Sequence, residues 1–256
     1  MKNEKKVVAI IQARMGSSRL PGKVLTRIGP KTLLGIILHR VSQSKRLDDI
    51  VVATTLEDSD DVLCAWLEEN NQKYFRGDTK DVLDRYWNCA KTHNADIIVR
   101  ITGDDPLKDP ELIDQCVETF LSTHDLDYLS NNIKPTYPEG LDIEVFSFES
   151  LNRAYCEANL ASEREHVTPY IWKNSNLFKL FSIEGPTDES HHRWTVDHPV
   201  DLLFINKVFE KIGYDYNVKY RDILDMLAQE PEISTINRKI GRKEGYLISL
   251  KNDIKL

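Results

Sequence analysis

Val7–Leu25 reads VVAIIQARMGSSRLPGKVL. The short apolar run at its start has the signature of a strand buried in a parallel sheet. It ends abruptly in a loop carrying Arg14, Ser17, Ser18, Arg19 and Lys23 around Gly16 and Gly22. Open α/β sheets bind ligands at the carboxyl ends of their strands. Cations, hydroxyls and glycine-permitted backbone N–H groups at that edge suit a triphosphate. The loop is not a Walker A sequence: five residues rather than four separate Gly16 from Gly22, and Val24 follows Lys23 where a P-loop places a Ser or Thr. Taken alone, a basic, solvated turn is the lesser alternative reading of the loop.

Working outward, strand patterns at Val7–Ile11, Ile50–Thr54, Tyr74–Arg76 and Ile97–Ile101 alternate with helical patterns at Thr32–Ser44, Ser59–Asn70, Lys80–Thr92 and Pro110–Leu121. This β-α rhythm predicts right-handed crossovers and a mostly parallel sheet covered on both faces, a Rossmann-like α/β/α arrangement. From Asp127 the rhythm changes. Asp127–Ser130 reads as a strand, Thr136–Phe146 as a loop then a strand, Phe148–Asn159 and Ser162–Asn174 as helices, and Leu177–Ile183 and Trp194–Val196 as strands. Helices at Val200–Ile212 and Tyr220–Ala228 precede a polar tail after Ile233. One domain over residues 1–256 with an inserted subregion at 127–190 is the economical division. That insertion carries Leu141, Ile143, Val145, Phe146, Tyr170, Ile171 and Trp172, more apolar surface than a short lobe buries by itself, which predicts a C2 homodimer.

Two acidic sites share the ligand edge. Arg100-Ile101-Thr102-Gly103-Asp104-Asp105-Pro106 runs a strand into paired carboxylates, and carboxylates beside a triphosphate suit Mg²⁺. An Asp-Pro turn capping the next helix is the plainer reading, but Asp109-Pro110-Glu111 already supplies that cap. Downstream, Arg193-Trp194-Thr195-Val196-Asp197-His198-Pro199-Val200-Asp201 delivers Asp197 to a strand end ahead of a helix, either as a second metal ligand or as a cap.

Composition limits the partners. A net charge of -7 argues against a chain devoted to a nucleic-acid backbone, so the basic loop is a local device on an acidic body. Cys64, Cys89, Cys116 and Cys156 form no CxxC pair, and neither a signal peptide nor a membrane-length apolar run is legible. A cytoplasmic protein that binds small anionic ligands, and no membrane, is expected.

IIQARMGSSRLPGKVL, FRGDTKDVLDRY, VRITGDDPLKDPELID and VDHPVDL, in that order and spacing, resemble the cytidylyltransferases of the CMP-Kdo and CMP-sialic acid synthetase superfamily, in particular its SpsF-like branch. The resemblance covers most of the chain. It implies a nucleotide-diphospho-sugar transferase type of fold and transfer of CMP from CTP to a sugar-type acceptor with release of pyrophosphate. It implies that Arg14, Ser17, Arg19 and Lys23 wrap the CTP phosphates, that Arg14, Lys23 and Asp104 are the catalytic groups, and that Asp104 and Asp197 bind Mg²⁺. The base and sugar of the nucleotide are expected near Ala13, Thr54, Arg76, Asp78 and Thr102. The acceptor is expected near Glu139, Asp142, Glu144, Glu163, His166 and Arg193. Many synthetases have I-P-A-R where this chain has Ile11-Gln12-Ala13-Arg14, a change that the SpsF-like branch shares and that shifts the expected acceptor.

Residue patterns also leave bland alternatives. Asp142 and Glu144 alternate as on any half-exposed strand, and Glu163 with His166 suits a helix-surface pair. A metal-dependent glycosyltransferase would carry a D-x-D triad, which Asp125-Leu126-Asp127 matches, and a non-catalytic nucleotide sensor would not need both metal carboxylates. His191, His192 and His198 lack the spacing of a zinc site.

Overall fold

The computed structural model describes residues 5–256. Strand β1 (Val7–Gln12) forms from the opening apolar run, and Val8 through Ile11 have no exposed surface. A hairpin of β2 (Arg27–Ile28) and β3 (Lys31–Thr32) leads to α1 (Leu33–Val41). The alternating half continues through β4 (Asp49–Thr55), α2 (Asp61–Glu69), β5 (Tyr74–Gly77), α3 (Val82–Thr92), β6 (Ile97–Thr102) and α4 (Pro110–Ser122). The remainder comprises β7 (Tyr128–Ser130), β8 (Glu144–Ser147), α5 (Phe148–Glu157), α6 (Ala161–His166), α7 (Pro169–Lys173), β9 (Leu180–Ser182), α8 (Pro199–Lys211), α9 (Tyr220–Gln229), α10 (Pro231–Ser234) and α11 (Glu244–Lys251).

The seven-stranded sheet runs β5-β4-β1-β6-β8-β7-β9, with β8 alone antiparallel to its neighbours. Side chains of β1 alternate between two cores. Val7, Ala9 and Ile11 pack with Leu34, Ile113 and Phe204 of α1, α4 and α8, while Val8 and Ile10 pack with Leu83, Tyr86 and Leu151 of α3 and α5. A strand loaded this way is stable only with helices on both faces, which is the three-layer α/β/α arrangement. The chain leaves β1 toward β4 on one side and β6 on the other, so a crevice opens where the strand order reverses.

Several expectations are corrected. Residues 162–174 are two short helices, because Val167 adopts a φ of 71° and Pro169 offers no N–H to continue the first. Trp194–Val196 is not a strand: the Trp194 N–H donates to the Glu139 carbonyl at 2.7 Å and the Val196 N–H to the Asp104 carbonyl at 2.9 Å, leaving only an isolated bridge between Glu139 and Arg193. The polar tail contains α11. The insertion also covers its own apolar surface. Leu141, Ile143, Val145, Phe146 and Ile171 are fully buried within the chain, because β7, β8 and β9 extend the main sheet instead of forming a lobe. The packing argument for a dimer therefore falls. Among the described residues, no helix is long and apolar enough to cross a membrane.

Candidate active site

Three elements build the crevice. The carboxyl ends of β1 and β6 are clamped where the Gly103 N–H donates to the Gln12 carbonyl at 2.8 Å, and a Cβ at Gly103 would stand 2.7 Å from that oxygen. Only glycine fits there. After β1 the loop folds on the Met15 carbonyl, which accepts from the N–H groups of Ser17 and Gly22 at 2.9 Å each. The Met15 N–H in turn donates to Asp60 at 2.7 Å. Asp60 is buried at the start of α2 and also accepts from the Thr54 hydroxyl at 2.9 Å, the Thr55 N–H at 3.1 Å and the Thr55 hydroxyl. Burial opposes its ionisation, but these donors outweigh it and hold its carboxyl below the ordinary range.

At the far end of the loop Lys23 is buried, and its Nζ lies 2.9 Å from Asp104, 2.9 Å from Asp197 and 2.8 Å from the Val196 carbonyl. Burial works against the ammonium, yet the two carboxylates prevail and raise its pKa. Burial likewise opposes charge on Asp197, and Lys23 with Arg19 overcomes it, keeping that carboxyl well below the usual carboxylate range. Asp197 is free for this role because Asp201, fully buried, caps α8, accepting from the N–H groups of Asp197 at 3.0 Å and His198 at 2.9 Å. Asp105 does not share the contacts of Asp104. It turns inward to the Thr102 hydroxyl at 2.8 Å and the buried Lys108 ammonium at 2.9 Å.

Beside the acidic pair lies a cavity of about 380 Å³. Arg19, Thr102, Asp104 and Asp197 line one side, and Glu139, Asp142, Glu144 and His166 the far wall. Glu144 is set by β-sheet register opposite Arg100, pairs with it, and also accepts from the hydroxyls of Tyr128 at 2.6 Å and Thr168. Arg100 reaches back to the Gln12 side chain at 3.1 Å, so the glutamine that replaces a proline in the first motif helps to shape the cavity. Glu139 is held by Arg193 at 2.7 Å, and Asp142 by Arg242. Gly140, at a φ of 107°, lets this loop pass against the Trp194 backbone, which a Cβ would meet at 2.8 Å. Burial pulls His166 down to about 4, so its ring is neutral near pH 7.

Other expected residues lie apart from the cavity lining. Arg193 sits behind the wall, donating to Glu139, Asp197 and Asp201. Glu163 is corrected from an acceptor contact to a cap: its carboxylate accepts from the N–H groups of Asn159 and Leu160 at 3.3 Å each. The Thr54 hydroxyl is committed to Asp60. Arg76 binds the carbonyls of Thr55 and Glu57 at 2.8 and 3.0 Å, and Asp78 accepts from the N–H groups of Lys80 and Asp81. Ala13 is buried, its N–H donating to the Ala53 carbonyl at 3.2 Å, while Arg14 is exposed. Ser17 accepts from the Leu20 N–H at 3.4 Å. Asp125 of the D-x-D match is exposed beside His124, away from the cavity lining. Asp60, Arg100, Tyr128, Trp172, Arg242, Lys243 and Tyr246 are the groups that sequence reading missed. The only advance signal was an arginine inside an apolar strand at position 100.

A family model described as Cytidylyltransferase matches residues 8–241. The chain belongs to the cytidylyltransferase family. This cytidylyltransferase is 34% identical over 237 residues to the spore coat polysaccharide biosynthesis protein SpsF of Bacillus subtilis, covering 90% of this chain and 97% of that protein. It is 35% identical over 231 residues to the 3-deoxy-manno-octulosonate cytidylyltransferase of Solibacter usitatus, covering 82% and 90%. Its structure is similar to that of a cytidylyltransferase from Leptospira borgpetersenii, with a TM-score of 0.88, 36% identity and coverage of 93% and 100%. The cytidylyltransferase is therefore a CTP-dependent nucleotidyltransferase, on the α/β/α architecture of its structural relatives.

Proposed function

We propose that this cytidylyltransferase moves CMP from CTP to an oxygen of a sugar acceptor, a 3-deoxy-2-keto sugar acid or a sugar phosphate, in cytoplasmic synthesis of a surface polysaccharide or glycan. The observation that carries the reading is the convergence of Asp104, Lys23 and Asp197 where the basic loop meets the cavity. The similarity to SpsF and to the octulosonate enzyme supports the sugar class.

The acceptor oxygen forms a bond to the α-phosphorus as the bond from that phosphorus to the bridging oxygen breaks and pyrophosphate leaves. Such transfer asks the protein for positioning and charge neutralisation, and no covalent intermediate is needed. Arg14, Arg19 and Lys23 offset charge on the departing pyrophosphate, and the loop N–H groups orient the phosphates. Thr102 and the backbone near Ala13 and Thr54 face the nucleoside, with Arg76 and Asp78 at the rim. Asp104 and Asp197 fit Mg²⁺, since both carboxylates and the Val196 carbonyl already converge on one cation, and an all-oxygen donor set suits a hard divalent ion. When bound, the ion would supply Lewis-acid polarisation of the α-phosphate and a lower pKa for the attacking hydroxyl. The cavity wall orients the acceptor through Glu139, Asp142 and Glu144. We read residues 1–256 as one catalytic unit acting as a homodimer.

Pyrophosphate release measured with each of the four ribonucleoside triphosphates, Mg²⁺ and a panel of sugar acids and sugar phosphates tests the reading. CTP should be strongly preferred and release should depend on one acceptor. Release with every triphosphate at equal rate overturns the base assignment, and CTP binding without release for any acceptor overturns the sugar class.

A further inference from the structure

Each carboxylate around the cavity has a cationic partner in direct contact. Glu144 is paired with Arg100, Glu139 with Arg193, Asp142 with Arg242, Asp105 with Lys108, and Asp104 and Asp197 with Lys23. Glu244, also on the lining, is met by Arg19 at 3.7 Å and His198 at 2.7 Å. Lys243 lines the same cavity, and among the described residues its ammonium has no carboxylate partner, only the Asn132 carbonyl at 3.3 Å. Its placement is built: the backbone takes the left-handed φ of 58° that non-glycine residues rarely adopt, and its N–H donates to Glu139 at 2.8 Å. One turn into α11, Tyr246 meets His166 and Trp172 edge-on at 5.1 and 5.7 Å between centroids. Its hydroxyl is buried with no hydrogen-bond partner. The buried, unpaired Tyr246 hydroxyl calls for a polar partner, and Lys243, exposed on the same wall with no carboxylate in salt-bridge contact among the described residues, is free to meet an anionic group of the same ligand. Both residues lie beyond residue 241, where the family match ends.

We infer that Lys243 is an acceptor-specificity residue, holding the anionic group of the acceptor, with Tyr246 beside it. This rests on the sugar-acceptor reading above. A carboxylate and a phosphate share the required chemistry.

The test uses the full chain with CTP and Mg²⁺, and with three probes: 3-deoxy-manno-octulosonate and N-acetylneuraminate as sugar acids, and glucose 1-phosphate as a sugar phosphate. N-acetylglucosamine is the neutral control. For whichever anionic probe the wild type turns over, Lys243→Met should raise the acceptor KM at least tenfold while the KM for CTP stays within twofold. Lys243→Arg should recover most of the loss, which a purely structural role would not predict. The probe that responds distinguishes carboxylate from phosphate. An unchanged acceptor KM in Lys243→Met overturns the inference and leaves the sugar reading standing, whereas turnover of the neutral sugar alone overturns the inference together with the anionic acceptor class, though not CMP transfer to a sugar. Failure of all four sugars with CTP still bound overturns the reading itself and the inference with it.

Discussion

At the residue scale the proposed chemistry rests on Lys23, which holds Asp104 and Asp197 at 2.9 Å each. Replacing either carboxylate by its amide keeps the shape and removes the charge that would bind a metal ion. Asp104→Asn and Asp197→Asn should each lower turnover by at least about 100-fold with unchanged circular dichroism. Near-full rates at saturating Mg²⁺ would show the ligand to be misplaced. His166 gives a separate expectation in pH. Burial lowers its folded pKa to about 4 from an ordinary value of 6.5, so as pH falls below 6.5 the unfolded chain takes up the proton first. Its contribution is therefore flat above pH 6.5 and costs stability progressively down to about pH 4. Urea midpoints at several pH values should fall less steeply in His166→Gln than in wild type, and identical slopes would contradict the assignment. The place of Asp104 was legible because it follows a strand and sits beside Gly103, whereas Asp197 follows a segment that is no strand and showed only as an acidic residue just ahead of a helix. Glu163 misled because a carboxylate three residues before a histidine reads as a pair, whereas its partners are backbone N–H groups that no side-chain pattern reports.

At the element scale the loop after β1 owes its shape to Asp60, which reaches it from the turn before α2. Asp60→Ala leaves the Met15 N–H and the hydroxyls of Thr54 and Thr55 without their acceptor. It should destabilise the protein by about 1–3 kcal/mol, lowering the melting temperature by roughly 2–4 °C per kcal/mol, and raise the KM for CTP. A calorimetric melt with unchanged Tm and an unchanged CTP KM would separate the loop from this anchor. The strands of the first half were legible because apolar runs bounded by turn residues leave few alternatives. The break between α6 and α7 was not, since Val167 is an unusual residue for a φ of 71° and the pattern across 162–174 stays helical. Helix α11 buries none of its residues, so it had no apolar stripe to announce it.

At the scale of the whole molecule, the sheet brings residues from positions 19, 104, 142 and 197 to one cavity edge. It also absorbs the apolar residues that suggested a partner, and what stays exposed there is modest, Leu177 at 37% and Phe181 at 42% beside and on the edge strand β9. The homodimer now stands on resemblance to related synthetases. Light scattering at micromolar concentration should give twice the 29.6 kDa chain mass, and a mass near one chain throughout would rule out a stable dimer.

By itself, the sequence determined the β-α rhythm, the basic loop at the first strand end and the acidic residues that follow two later segments, because these depend on short-range periodicity and on residue chemistry. Tertiary structure alone decided which carboxylate pairs with which cation. Asp104 and Asp197 with Lys23, Glu139 with Arg193 and Asp142 with Arg242 are each separated by some fifty residues or more, and no local pattern encodes contacts at that range. Only the folded chain shows Lys243 on the cavity lining with, among the described residues, no carboxylate within salt-bridge distance, because pairing is a property of neighbours in space.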